Sequence, residues 1–176
     1  CIRDRIERIG KNVSSKNPGD EVIALLAGGG YAEYVTCPEN HAILKPPKLS
    51  WAEGASIPEV YATGWLNLFI EAHMKEGDKI VFHAGASGIG TAGIQLAQAF
   101  GCDSFVSAGT QEKIDFCLNL GASAGEVRSK DIFSKIKEWS PNGVDIILDP
   151  VGAEYFEKNL SVLGLAVSYT HLRAHE

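Results

Sequence analysis

Val81-Phe82-His83-Ala84-Gly85-Ala86-Ser87-Gly88-Ile89-Gly90-Thr91-Ala92-Gly93-Ile94-Gln95-Leu96-Ala97 is the stretch that decides the fold. Lys79 to His83, behind the turn Glu76-Gly77-Asp78, predicts a buried strand. Gly88 to Phe100 has helical spacing and stops at Gly101. Between them lies a glycine-rich turn. A strand, a tight turn and a helix in that order leave backbone N–H groups free at a helix start, where the aligned peptide dipoles add roughly half a positive charge. Such a turn suits a phosphate. Gly85 is expected to make the tight turn, Gly88 to let the backbone approach a pyrophosphate, and Gly90 to let helix pack closely on strand. Ala86, Ser87 and Ile89 complete the loop. Ser87 stands where a strict GxGxxG has its middle glycine; it is still small, and its hydroxyl could donate to phosphate.

Downstream, strands and helices alternate. Asp103 to Ser107 predicts a strand, Gln111 to Leu120 a helix ended by Gly121, and the region of Glu126 and Val127 a short strand. Ile132 to Trp139 predicts a helix, Val144 to Leu148 a buried strand, and Glu154 to Leu163 a further helix. The pattern predicts a parallel sheet covered on both faces: an α/β, doubly wound Rossmann-type sheet, left incomplete. In that context the glycine loop points to a dinucleotide. A turn that binds nothing and a loop for S-adenosylmethionine stand beside it as alternatives.

Upstream the chain reads as β-rich. Pro18-Gly19-Asp20 is a turn, Glu21 to Leu26 a buried strand, and Ala27 to Gly30 a glycine loop. Tyr31 to Thr36 and Ala42 to Lys45 read as two more strands, the second stopped by Pro46-Pro47. Helices begin at Ser50, where Ser50-Trp51-Ala52-Glu53 has the form of a capping box. Ile57-Pro58 reads as a junction, followed by a helix to Glu71. This divides the chain into 1–57, 58–166 and a remainder. From Val167 to Glu176 the apolar rhythm breaks where a buried strand should follow, and the decapeptide is similar to a recurring translated sequencing-adaptor artefact, so 167–176 is expected to be non-native. With a single methionine, Met74, the sequence is expected to be an internal piece of a longer chain.

Sixteen Lys and Arg against 22 Asp and Glu give a formal charge of −6, which argues against nucleic acid or an anionic membrane surface as partner. No apolar run approaches spanning length. Cys1, Cys37, Cys102 and Cys117 show no CxxC spacing and no nearby His pair, so no metal site is expected, and reduced thiols in a cytoplasmic protein are.

The second strand bears on the choice of nucleotide. A carboxylate at its end would hold a ribose 2′-hydroxyl. Here the chain runs Phe105-Val106-Ser107-Ala108-Gly109-Thr110-Gln111-Glu112-Lys113, with no carboxylate at the tip. Thr110 and Lys113 could receive a 2′-phosphate, so NADPH is expected. Thr110 could also be a plain helix N-cap, and Lys113 a solvated surface lysine.

Pro-Gly-Asp-x-Val, Gly-Gly-Tyr-Ala-Glu-Tyr-Val, Ile57-Pro58-Glu59 and His83 to Thr91 together resemble the medium-chain dehydrogenase/reductase superfamily, and within it the zinc-independent quinone oxidoreductases that include zeta-crystallin. The resemblance runs over residues 6 to 166. It implies part of a GroES-like catalytic domain followed by part of a Rossmann domain, NADPH as hydride donor, quinones or similar conjugated carbonyls as acceptors, no metal, and a homodimer or homotetramer in the intact parent. An enoyl reductase acting on a conjugated thioester and a non-catalytic NADPH-binding protein remain alternatives. Matched residue by residue, Gly85 to Gly90 is expected to wrap the pyrophosphate and Thr63 to lie near the nicotinamide ribose, although it could be an ordinary helix hydroxyl. Arg128 stands where relatives have a tyrosine beside the adenosine, and could stack on adenine or pair with phosphate. Pro150 and Val151, with Gly152, match a loop near the nicotinamide, and Asp149 reads as structural. The substrate-side residues match nothing in this sequence, so no general acid or base is assigned, and the chain alone is expected to be a poor enzyme.

Overall fold

A computed structural model of the chain describes residues 2–128 and 131–171. Two compact units emerge, Cys1–Ala62 and Thr63–Glu176.

In the first unit β1 (Ile2–Arg5), β2 (Glu21–Ala24) and β3 (Ile43–Leu44) form an antiparallel sheet in that order. Val22, Ile23 and Ala24 are buried. Lys45 is buried too, with its ammonium 3.3 Å from Glu21 and donating to the carbonyl of Leu49 at 2.7 Å. Tyr31 to Thr36, expected as a strand, forms turns and bends instead, and Tyr31 and Tyr34 are exposed. Among the described residues of the unit it finds no partner strand, so the aromatics have no sheet face to bury against. A 3₁₀ turn at Glu39–His41 follows, and Glu39 accepts the amides of Ser14 and Ser15.

Helix α1 (Trp51–Trp65) starts at the expected capping box: Glu53 N–H donates to Ser50 Oγ at 3.2 Å and Ser50 N–H to Glu53 Oε2 at 2.8 Å. The junction expected at Pro58 is absent, and α1 runs through it. Proline removes one hydrogen bond, to the carbonyl of Gly54, but the bonds on either side continue the helix. Leu66–Glu71 continues as a π-helix, with Ala72 N–H on the carbonyl of Asn67.

The second unit is a five-stranded parallel sheet of β4 (Lys79–His83), β5 (Asp103–Ala108), β6 (Ala124–Val127), β7 (Val144–Asp149) and β8 (Leu163–His171), in the order β6-β5-β4-β7-β8. Four helices connect it: α2 (Gly88–Ala99), α3 (Gln111–Asn119), α4 (Ile132–Trp139) and α5 (Phe156–Leu160). The last is shorter than the sequence suggests. Strand alternation sorts the core into two layers. Ile80, Phe82, Val106 and Leu148 face a layer with Ile94 and Ile114 of α2 and α3; Val81, Phe105 and Ile147 face one with Ile132 and Ile136 of α4. Helices on both faces make the sheet doubly wound, as expected. Gly93 of α2 packs directly on β4, where an added Cβ would lie 2.5 Å from Phe82 Cε1.

The break expected at Val167 does not occur among the described residues. β8 runs from Leu163 through His171 and pairs with β7 from Ile146↔Ser168 to Asp149↔His171, after a register shift. Backbone N–H and C=O groups make that ladder, so a polar sequence can join it. The hydroxyl of Tyr169 reaches Asp149 at 2.7 Å. Leu172 to Glu176 and Cys1 lie outside the described residues.

Candidate nucleotide-binding site

In a parallel sheet every strand end of one kind lies on one edge. The carboxyl edge here carries four connections: the glycine loop after β4, Gly109-Thr110 after β5, Arg128 after β6 and Pro150-Val151-Gly152 after β7. The strand order reverses between β4 and β7, the position at which open α/β sheets take ligands.

The loop after β4 is held from below. Gly85 N–H donates to the carbonyl of Ser107 at 2.9 Å and Ser87 N–H to that of Ala84 at 2.9 Å. The left-handed residue is Ala84, at φ 54°, rather than Gly85. Gly85 is required for space, because a Cβ there would lie 2.8 Å from the Cβ of Val106. Gly90 is required for the loop itself: its Cβ would overlap the carbonyl of Gly85. Ser87 caps α2, with Gly90 N–H donating to its Oγ at 3.1 Å. Gly88 and Ile89 occupy the first turn, where the helix has no carbonyl for their N–H groups, and Ser87 and Gly88 are exposed. Ala86 is half-buried beneath them. A backbone cradle closed to side chains and open at a helix N-terminus fits a phosphate group.

Thr110 caps α3 by accepting from Lys113 N–H at 3.3 Å; both are exposed. Arg128 N–H donates to the carbonyl of Ala108 at 2.7 Å, and its Nη2 lies 3.5 Å from where a Cβ on Gly109 would sit. The guanidinium therefore stands beside the β5 tip, with no carboxylate at Ala108, Gly109 or Thr110. Lys113 is one helical turn beyond Thr110. Thr63 lies near the end of α1, its carbonyl accepting from Asn67 Nδ2 at 2.8 Å; the adjacent Gly64 faces Leu96 of α2. Pro150 is exposed and Val151 half-buried, and the amides of Val151 and Gly152 both donate to Asp149 Oδ1, at 2.7 and 3.1 Å.

A buried row beneath these loops escaped the sequence reading. Ser107 and His83 are register partners on β5 and β4, and Ser107 Oγ lies 3.0 Å from His83 Nδ1. His83 Nε2 lies 2.8 Å from Asn159 Oδ1, and Asn159 Nδ2 donates to Asp149 Oδ2 at 2.9 Å. All four residues are fully or almost fully buried. Burial holds His83 neutral, below its ordinary pKa, against the opposing pull of its bond to Asn159 and the charge of Asp149. Tyr155 and Phe133 pack on the imidazole, with centroids at 4.9 and 5.9 Å. The available signal was a polar residue at or next to the end of each apolar strand, in the same phase: His83, Ser107, Asp149.

Among the described residues no group of three or more His, Cys, Asp or Glu is placed to hold a metal ion, and no helix is long and apolar enough to cross a membrane.

Residues 88–166 match the zinc-binding dehydrogenase family. The human quinone oxidoreductase is 33% identical over 161 residues, covering 90% of this chain and 49% of that protein. Among solved structures, CurK enoyl reductase superposes with a TM-score of 0.89 at 29% identity, over 99% of this chain and 54% of that one. The quinone oxidoreductase of Thermus thermophilus, solved alone and with NADPH, superposes at 0.80 and 30% identity, over 87% of this chain and 50% of that one. The chain thus spans about half the length of these relatives.

Proposed function

Because the chain belongs to the medium-chain dehydrogenase/reductase superfamily, we propose that it carries the nucleotide-binding half of an NADPH-dependent quinone oxidoreductase. The observation that carries the choice of nucleotide is the β5 tip. A carboxylate that would hold a 2′-hydroxyl is missing, and the Arg128 guanidinium stands over Gly109 instead. Lys113 adds a second cation one turn along α3, and Thr110 a hydroxyl.

The residues of this chain then divide the work. Gly85, Ala86, Ser87, Gly88, Ile89 and Gly90 hold the pyrophosphate through backbone N–H groups. Arg128, Thr110 and Lys113 hold the adenosine end. Thr63, Pro150 and Val151 face the nicotinamide end. Bound there, NADPH supplies a hydride for an electron-poor conjugated carbonyl. The contribution of these residues is binding and orientation, which dominate where two rings must be brought face to face. The acceptor's pocket belongs to the intact parent, a cytoplasmic homodimer or homotetramer in which residues 1–57 are part of the catalytic domain; this chain alone is a poor catalyst.

The superposition on CurK favours a second reading, reduction of an enoyl thioester. The same nucleotide would serve both. Titration of the chain with NADPH and NADH, followed by nucleotide fluorescence, tests the first step. Tighter NADPH binding that weakens in Arg128→Ala supports the assignment. Equal affinity for the two nucleotides refutes it. Turnover of a quinone against an enoyl thioester by the full-length parent decides between the acceptors.

A further inference from the structure

The buried row under the carboxyl edge has a direction. A carboxylate can only accept, so the Asn159 group that faces Asp149 is its NH₂, at 2.9 Å. That fixes the amide oxygen toward His83, 2.8 Å away, and requires the proton of the neutral imidazole on Nε2. Nδ1 is then the acceptor for the hydroxyl of Ser107 at 3.0 Å. Each hydrogen bond runs the same way, from Ser107 through His83 and Asn159 to Asp149. Tyr169 adds a second donor on Oδ2 at 2.7 Å, while Oδ1 takes the amides of Val151 and Gly152. Asp149 therefore ends a chain that begins on β5, crosses β4 one residue before the left-handed Ala84, and finishes by holding the loop after β7.

We infer that Asn159 and Asp149 are positioning residues for the nicotinamide end of the cofactor, tying the base of the glycine loop to the Pro150-Val151-Gly152 loop across the sheet. The inference rests on the nucleotide site proposed above. An amide is the required link, since it must accept from His83 and donate to Asp149 at once. Leucine has a similar size and does neither. Asn159→Leu leaves the imidazole N–H without an acceptor and releases one of the donors on Asp149, so the loop it holds shifts. The phosphate cradle, built from the Gly85 and Gly90 backbones, does not depend on that amide.

The test separates the two ends of the ligand. Binding of NADPH and of adenosine 2′,5′-bisphosphate, which lacks the nicotinamide, is measured on the full chain and on Asn159→Leu. The expected result is NADPH weakened about tenfold, the size of one buried hydrogen-bond link, and the bisphosphate changed less than about twofold. Equal weakening of both probes, or of neither, overturns the inference. If Asn159→Leu does not fold, Tyr169→Phe removes one bond to the same carboxylate and should show the same selectivity at about threefold; parallel changes there overturn it equally. A nitrogen NMR spectrum of the unaltered chain should find His83 neutral with its proton on Nε2; a proton on Nδ1 contradicts the row. Failure of the unaltered chain to bind either probe sinks the nucleotide site itself, and the inference with it.

Discussion

Gly90→Ala probes whether the glycine loop is closed by its own backbone. A methyl group at 90 would overlap the Gly85 carbonyl and lie 2.7 Å from both the carbonyl carbon and the Cα of Gly85. All three are main-chain atoms. Gly85 cannot retreat easily, since its amide is bonded to Ser107 and Val106 fills the space beside it, 2.8 Å from where a Cβ would sit. Overpacking with no flexible neighbour belongs at the upper end of the usual range, about 3 kcal/mol. For a unit the size of Thr63–Glu176, about 1 kcal/mol lowers the melting temperature by roughly 4 °C, so a fall of about 12 °C is expected. Thermal melting followed by circular dichroism measures it. Gly109→Ala is the control: the nearest atom to its added Cβ is the tip of a flexible side chain, Arg128 Nη2 at 3.5 Å, so its melting point should stay within about 2 °C of the parent. A Gly90→Ala protein that melts with that control would refute the closed-loop reasoning.

Other outcomes follow from the same geometry. Thr110→Ala removes the cap on α3 and should cost about 1 kcal/mol, read as a fall of roughly 4 °C in the same melt. Lys113→Ala combined with Arg128→Ala should cut the preference for NADPH over NADH by at least about tenfold in the fluorescence titration, with NADH affinity little changed. Burial and the bond to Asp149 push Tyr169 up to about 12. In the unfolded chain it ionises near 10, so there the folded state holds more protons than the unfolded one. Stability should therefore be intact below pH 10 and fall as pH rises through about 12, and Tyr169→Phe should flatten that alkaline fall in pH-dependent urea melts. His83 has the opposite linkage. Its pKa is lowered by burial, the unfolded chain takes up the extra proton, and stability should drop on acidification below about 6.5, a drop that His83→Gln should reduce.

The second unit was legible because its elements announce themselves locally. Val81-Phe82 and Ile146-Ile147-Leu148 are apolar runs bounded by turns, and Gly101 and Gly121 stop helices in left-handed backbone, at φ 71° and 114°. Other features depended on partners far along the chain. Tyr31 to Thr36 has a strand's composition, but a strand needs a neighbour, and none of β1, β2 and β3 pairs with it. Ile57-Pro58 reads as a junction because the rule is local, whereas the hydrogen bonds on either side carry α1 through a buried Pro58. Val167 to Glu176 reads as a break because its side chains are largely polar, while the ladder that Ser168 to His171 make with β7 uses the backbone. At the site, the glycine spacing pointed to the loop but gave the wrong reasons for two glycines: Gly85 answers to Val106 on the next strand, and Gly90 to Gly85. The row from Ser107 to Asp149 joins positions on three strands through Asn159 on α5, and no local spacing contains it.

The contact between Gly93 and the Phe82 ring bears on how such a sequence can diverge. Gly93→Ala alone drives a methyl group into the ring, and Phe82→Leu alone leaves a void in the layer it fills. Made together, the added methyl enters the space the ring vacates. Each single step should be a loss and the double step close to neutral, so a Phe–Gly sequence and a Leu–Ala sequence would be separated by a fitness valley. Either pairing should be stable where the mixed ones are strained or hollow, so the residue at one of these positions constrains the other for as long as helix and strand stay pressed together.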